Sequence, residues 1–335
     1  MYEAIKNFHK QFSHQPEIKN VEFLYDTSSF IVIGMGGSAL APKLLKTHLP
    51  ELDITVHSDY GLPKYPLASL KKKLIILSSY SGNTEEVIDA FQKGKDLNLN
   101  MAVITVGGEL LKLAIENKIP YIELPNTGVQ PRSALGFSVK GFLKLVGENG
   151  ELKKITELTT TLNGVDYEEA GKALAGKLKN YVPVIYASLD NLSLAYNWKI
   201  KFNETGKIPA FYNVFPELNH NEMTGFDLAR SVNAKGVDST EREKLNMQFY
   251  IILLKDGEDD PRIGKRMEVL EKLYKDRNLK VEMIELGAKS KRGDTWHKVF
   301  SSLLLADWAA YYTAQSYGLE AEQVPMVEEF KKIIS

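Results

Sequence analysis

Short apolar runs punctuate the chain, and between them the apolar positions recur every three or four residues. "SFIVIG", "DITVHSD", "KKLIILSS", "NMAVITVG" and "PYIELP" have the pattern of buried strands. "MGGSALAPKLLKTHL", "GNTEEVIDAFQKGKDL" and "GELLKLAIENKI" carry the helical period between them. From about 137 to 180 the pattern is helical, through "GFSVKGFLKLVGENG" and "DYEEAGKALAGKLKNY". The alternation then restarts with strands in "VPVIYAS", "MQFYIILLKD" and "KVEMIELG". The intervening helices lie in "LDNLSLAYNWKIKFNETG" and "PRIGKRMEVLEKLYKDR". A long helix, "TWHKVFSSLLLADWAAYYTAQSYG", and a helical tail, "VPMVEEFKKIIS", close the chain. Strands alternating with helices in this way predict parallel sheets covered on both faces. The first 25 residues, with Ile5, Phe8 and Phe12 at helical spacing, predict an amphipathic helix.

A weak internal repeat sharpens the picture. "LIILSSYSGNTEEVIDAFQKGKDLNLNMAVITVGG" and "YIILLKDGEDDPRIGKRMEVLEKLYKDRNLKVEMIELG" share the order strand, polar loop, helix, strand. The expected architecture is therefore α/β: two doubly wound parallel-sheet units in tandem, each an α/β/α sandwich, over 1–150 and 151–335. The loops differ. The first offers Ser79, Ser81 and Thr84; the second carries Asp256, Glu258, Asp259 and Asp260, which would repel phosphate.

Composition narrows the partners. The 335 residues include 42 basic and 43 acidic side chains for a net charge of −1, which argues against a broad surface for nucleic acid or anionic membrane. There is no cysteine, hence no disulfide, thiolate nucleophile or Cys-ligated zinc. No apolar run reaches the roughly 18 residues of a membrane span. The start, "MYEAIKNFHKQF", lacks the layout of a signal peptide. A soluble cytoplasmic protein is expected.

Two loops carry the densest chemistry. "IGMGGSALA" matches the dinucleotide fingerprint through Gly34, Gly36 and Ala39, with Asp59 placed as a ribose-binding acid. That reading leaves "SSYSGNTEE" without a task. A second reading joins both loops on one rim of a parallel sheet. There Gly36, Gly37 and Ser38 meet Ser79, Ser81 and Thr84 at two helix N-termini and hold one phosphate without a basic side chain. The plain alternative is a capping box of Asn83 and Glu86 with serines as turn residues.

Further along, "NETGKIPAFYNVFPELNHNEMTGF" places Glu204 near a helix end and His220 in a loop between Asn219 and Asn221. A partly buried carboxylate is a candidate base, and a histidine suits proton transfer to a sugar oxygen. Arg132 in "QPRSALGF" is either an ordinary ion-paired arginine or a cation aimed at developing negative charge. The six histidines form no metal-binding pair, and no P-loop is present.

Taken in order, "GMGGSA", "SSYSGNTEE", "PRSALG" and "NETGKIPAFYNVFPELNHNE" resemble the bifunctional phosphoglucose/phosphomannose isomerase family, built from two sugar-isomerase (SIS) domains. The resemblance implies that Gly36, Gly37, Ser38, Ser79, Ser81 and Thr84 bind the sugar phosphate. It also implies that Glu204 moves the proton between C2 and C1, His220 opens the ring, Arg132 stabilises an enediolate, and Lys331 in "PMVEEFK" closes the site. It implies a homodimer, with His220 serving the neighbouring subunit, and a reaction without cofactor or metal. Where the family commonly has Asp-Pro-Thr-Pro, this chain has Glu322-Gln323-Val324-Pro325, so glucose 6-phosphate and fructose 6-phosphate are better supported as substrates than the mannose epimer. A phosphosugar-sensing module without turnover would need the loops but not Glu204, His220 and Lys331 together.

Overall fold

A computed structural model describes residues 1–227, 248–288 and 294–334. Met247 and Ser335, assigned above to a strand and to the tail helix, lie outside the described residues. The chain forms two compact units, Lys6–Asn163, and Gly164–Ser335 together with Met1–Ile5. The expected division at 150/151 falls inside the helix Asn149–Thr156.

In the first unit β1 (Ser29–Ile33), β2 (Asp53–His57), β3 (Leu74–Ser78), β4 (Met101–Thr105) and β5 (Tyr121–Glu123) form one parallel sheet in the order β2-β1-β3-β4-β5. Every residue of β3 and β4 is buried, because helices cover both faces. On one face Ile31, Ile33, Ile75, Leu77 and Val103 pack with Val87, Ala90 and Phe91 of the helix Glu85–Asp96. The helices Leu40–His48 and Leu135–Leu145 pair together, the latter against β4.

In the second unit β6 (Val182–Ser188), β7 (Phe211–Phe215), β8 (Phe249–Asp256) and β9 (Lys280–Leu286) form a parallel sheet in the order β7-β6-β8-β9. Met267, Leu270 and Tyr274 of the helix Pro261–Lys275 fill one face. The helix Leu192–Glu204 packs along β6 and β7 and against the helix Thr295–Ser316. The two repeat segments occupy matching places, since β3–helix–β4 in one sheet corresponds to β8–helix–β9 in the other. Two tandem doubly wound domains are thus present.

Two elements differ from expectation. The N-terminal segment is not one helix but an α-helical turn, Tyr2–Lys6, followed by a 3₁₀ turn, Phe8–Ser13. Ile5 belongs to one unit while Phe8 and Phe12 are buried in the other, and Pro16 ends any helical continuation. Strand β7 lies inside what the sequence pattern presents as a loop. It is a short edge strand with its first two residues exposed, flanked by Pro209 and Pro216.

Candidate active site

The order β2-β1-β3-β4-β5 reverses direction between β1 and β3, and ligands of open α/β sheets gather outside the carboxyl ends of the strands at such a point. The loops leaving β1 and β3 are the two singled out above, and they are tied together. Ser38 Oγ accepts the Tyr80 N–H at 2.9 Å, and Ser78 Oγ donates to the Ser38 carbonyl at 3.2 Å. A third loop joins them. A Cβ on Gly37 would stand 2.6 Å from Pro131 Cβ and 3.0 Å from the Arg132 nitrogen, so Gly37 is what lets the Pro131–Ser133 turn approach. Arg132 itself is buried, 1% exposed.

The serines divide by task. Ser79 is buried; its hydroxyl lies 2.7 Å from Thr84 Oγ1 and accepts the Gly82 N–H at 3.1 Å. It braces the loop from within. Ser81 is exposed, accepting the Asn83 N–H at 3.3 Å, and Thr84 is half-buried at the N-cap of the helix Glu85–Asp96. Gly36 is exposed, and Gly37 and Ser38 are half-buried at the rim. The Asn83–Glu86 capping box does not form: Thr84 is the N-cap, and Asn83 Oδ1 instead accepts the Glu109 N–H at 3.0 Å. The Thr84 side chain makes no capping hydrogen bond to this twelve-residue helix, so its first N–H groups suit an anion. Glu85 and Glu86 in its first turn offset part of the helix dipole. Directed N–H and O–H donors therefore matter more here than field.

The dinucleotide reading does not fit this sheet. Its strand order is not the 3-2-1-4-5-6 of dinucleotide-binding domains, and Asp59 is an exposed loop residue accepting the Tyr60 N–H at 2.8 Å. Sequence reading also missed Gly82, where a Cβ would meet the Gly107 carbonyl oxygen at 1.8 Å. Its position between Ser81 and Asn83 was the available signal.

In the second unit Glu204 is the last residue of the helix Leu192–Glu204, with a half-buried side chain. Its carbonyl accepts Lys207 Nζ at 2.6 Å, a cation answering an open helix C-terminus. One turn earlier the Lys201 ammonium is buried against Asp307 at 2.7 Å, and the Lys201 carbonyl accepts the Thr205 and Gly206 N–H groups. Glu204 thus sits on a firmly held helix end. His220 ends the 3₁₀ turn Glu217–His220 after β7 and is exposed.

Glu204 and His220 are not brought together within this unit. The helix returns to the rim where β7 begins, and His220 follows the opposite end of that five-residue strand, which spans about 17 Å. Lys331 lies on the exposed helix Pro325–Ile334, 2.9 Å from Glu328, and Met326, Phe330 and Ile333 on that helix are also exposed.

The corresponding switch point of the second sheet, between β6 and β8, is filled by protein groups. Asp256 and Glu258 each hold Lys298 Nζ at 2.7 Å, and Ser188 donates to Asp259 at 2.8 Å. Asn191 Nδ2 donates to Ser188, Asp256 and Asp259. Among the described residues no cluster of three His, Cys, Asp or Glu side chains is arranged for a metal ion.

Residues 167–334 match the family described as "Bacterial phospho-glucose isomerase C-terminal SIS domain". Over 99% of its length the chain is 31% identical to a bifunctional phosphoglucose/phosphomannose isomerase of Caldicellulosiruptor bescii, covering 98% of that protein. The chain belongs to the bifunctional phosphoglucose/phosphomannose isomerase family. A second family member, from Aquifex aeolicus, is 27% identical over 99% of this chain and 97% of its own. Among solved structures, a hypothetical protein of Thermus thermophilus superposes with a TM-score of 0.66 at 18% identity, covering 99% of this chain and 87% of that one. That likeness concerns the fold.

Proposed function

We propose that the protein interconverts glucose 6-phosphate and fructose 6-phosphate through an enediolate. The observation that carries the reading is the junction of the β1 and β3 loops, with Arg132 drawn against them by Gly37, in a chain of this family. Gly36, Gly37, Ser38, Ser81 and Thr84 hold the phosphate, and Ser79 shapes their loop. Phosphate anchoring fixes the sugar, so binding energy far from the reacting carbons positions C1 and C2. Glu204 takes the C2 proton and returns it to C1; His220 moves the proton that opens the ring; Arg132 stabilises the enediolate. Lys331 closes over the sugar from the C-terminal helix. These roles need no redox cofactor. The protein works as a cytoplasmic homodimer in which His220 serves the partner's site, a reading that the opposite placement of Glu204 and His220 favours.

The test is proton NMR of fructose 6-phosphate with the protein in D₂O, with EDTA and no nucleotide. Glucose 6-phosphate should appear carrying deuterium at C2. Glu204→Gln should lower turnover by about a hundredfold to ten-thousandfold while leaving sugar-phosphate binding nearly unchanged. Binding by the wild-type protein without any turnover would instead identify a sensing module.

A further inference from the structure

We propose that Glu222 is a positioning residue, whose carboxylate fixes the turn that presents His220. The inference rests on His220 as the ring-opening group.

The turn after β7 is anchored on both sides of His220. Phe215 and Leu218 before it are buried in the same core that Met223 and Phe226 pack against after it. The anchors hold the chain but leave the rotation of the intervening residues open. Glu222 closes that freedom. Its Oε1 accepts the Tyr186 hydroxyl at 2.5 Å, and its Oε2 accepts Asn213 Nδ2. Tyr186 is a fully buried residue of β6 and Asn213 lies on β7, so one carboxylate ties the turn to two neighbouring strands. Hydrogen bonds to an ionised acceptor are about twice as strong as neutral ones.

The flanking asparagines complete the turn. Asn221 Oδ1 accepts the Glu222 N–H at 2.5 Å while its Nδ2 donates to Glu217 at 2.9 Å. Asn219 Oδ1 accepts Arg266 Nη1 at 3.3 Å. The polar neighbours of His220 thus engage the protein, and the imidazole itself is on the exposed side. With both oxygens committed, Glu222 is placed to orient rather than to transfer a proton.

A carboxylate accepts from both donors as they stand. A glutamine that accepts from Tyr186 turns its NH₂ toward the NH₂ of Asn213, and one that accepts from Asn213 makes the Tyr186 hydroxyl reverse from donor to acceptor. Asn213 cannot turn over without losing the bond from the Val214 N–H to its Oδ1 at 2.8 Å. Exchanging the two groups avoids the conflict: in the double variant Glu222→Gln/Asn213→Asp, the new amide donates to the new carboxylate.

The experiment measures anomerisation of glucose 6-phosphate, which needs only ring opening, separately from its isomerisation. Glu204→Gln should lose isomerisation and keep anomerisation; His220→Ala should lose both. Glu222→Gln and Asn213→Asp singly should each slow anomerisation and isomerisation together by about ten- to a hundredfold, with KM little changed. The double exchange should recover most of the rate, and Tyr186→Phe, losing one donor, should fall less than Glu222→Gln. The inference is overturned if His220→Ala abolishes anomerisation while Glu222→Gln leaves it intact, or if the double exchange restores the melting temperature but not the rate. Full anomerisation in His220→Ala would defeat the reading of His220 itself, and this inference with it.

Discussion

Gly37 shows how much a single missing carbon decides. Its backbone lies where a Cβ would overlap Pro131, so Gly37→Ala must push the Pro131–Ser133 turn, and Arg132 with it, away from the β1 loop. Overpacking of this kind costs about 1–3 kcal/mol. The expected outcome is a KM for fructose 6-phosphate raised about tenfold or more, measured by steady-state kinetics. Asp259 makes the opposite point, a residue conspicuous in sequence whose environment only the fold reveals. Burial pushes its carboxyl up to about 6; the Ser188 hydroxyl and Lys298 oppose that shift, and Asp256 and Asp190 add to it. Because the folded-state value is raised, its stability contribution is full below the ordinary carboxylate range and is lost as pH rises through 6. Asp259→Asn keeps the acceptor for Ser188 and removes the charge. It should therefore melt higher than the wild type at pH 7 to 8, by about 1 kcal/mol after allowance for partial exposure, and match it near pH 4. Thermal melts across that range check it.

At the scale of elements, the period of apolar residues located the buried strands and long helices because those elements bury a whole face or both faces. It failed at β7, whose first residues are exposed, and along the N-terminal segment, which is divided between two units. The Ser79–Thr84 loop stands out in the sequence by its hydroxyls alone. That Ser79 braces and Ser81 is exposed was not legible there, since both are serines two apart and only packing separates them. Val324 immediately precedes the C-terminal helix Pro325–Ile334; its carbonyl accepts the Val327 and Glu328 N–H groups, and its side chain offers no capping oxygen. Val324→Thr should stabilise that helix start by about 1 kcal/mol, read as slower amide exchange over 326–330. The same variant should raise kcat/KM for mannose 6-phosphate relative to glucose 6-phosphate. Slower exchange with an unchanged ratio would leave this position as a cap alone.

At the scale of the whole molecule, two domains with matching strand order have diverged at the same place. One switch point offers open hydroxyls and N–H groups; the other holds Asp256, Glu258 and Lys298 in mutual contact. In the proposed dimer, Glu204 and His220, at opposite ends of β7, belong to different sites. Co-expressed Glu204→Gln and His220→Ala chains should therefore recover about a quarter of wild-type activity. Half of randomly formed dimers are mixed, and each mixed dimer holds one intact site. No recovery would place both residues in one chain's site. The sequence by itself determined the α/β class, the tandem repeat, the hydroxyl-rich loop and the family, because these depend on periodicity and on residue types close together in the chain. Tertiary structure decided which serines brace and which face outward, why Gly37 has no side chain, that Glu204 and His220 lie apart, and that Glu222 orients the turn beside His220. Those outcomes depend on contacts between segments distant in sequence, which local patterning does not encode.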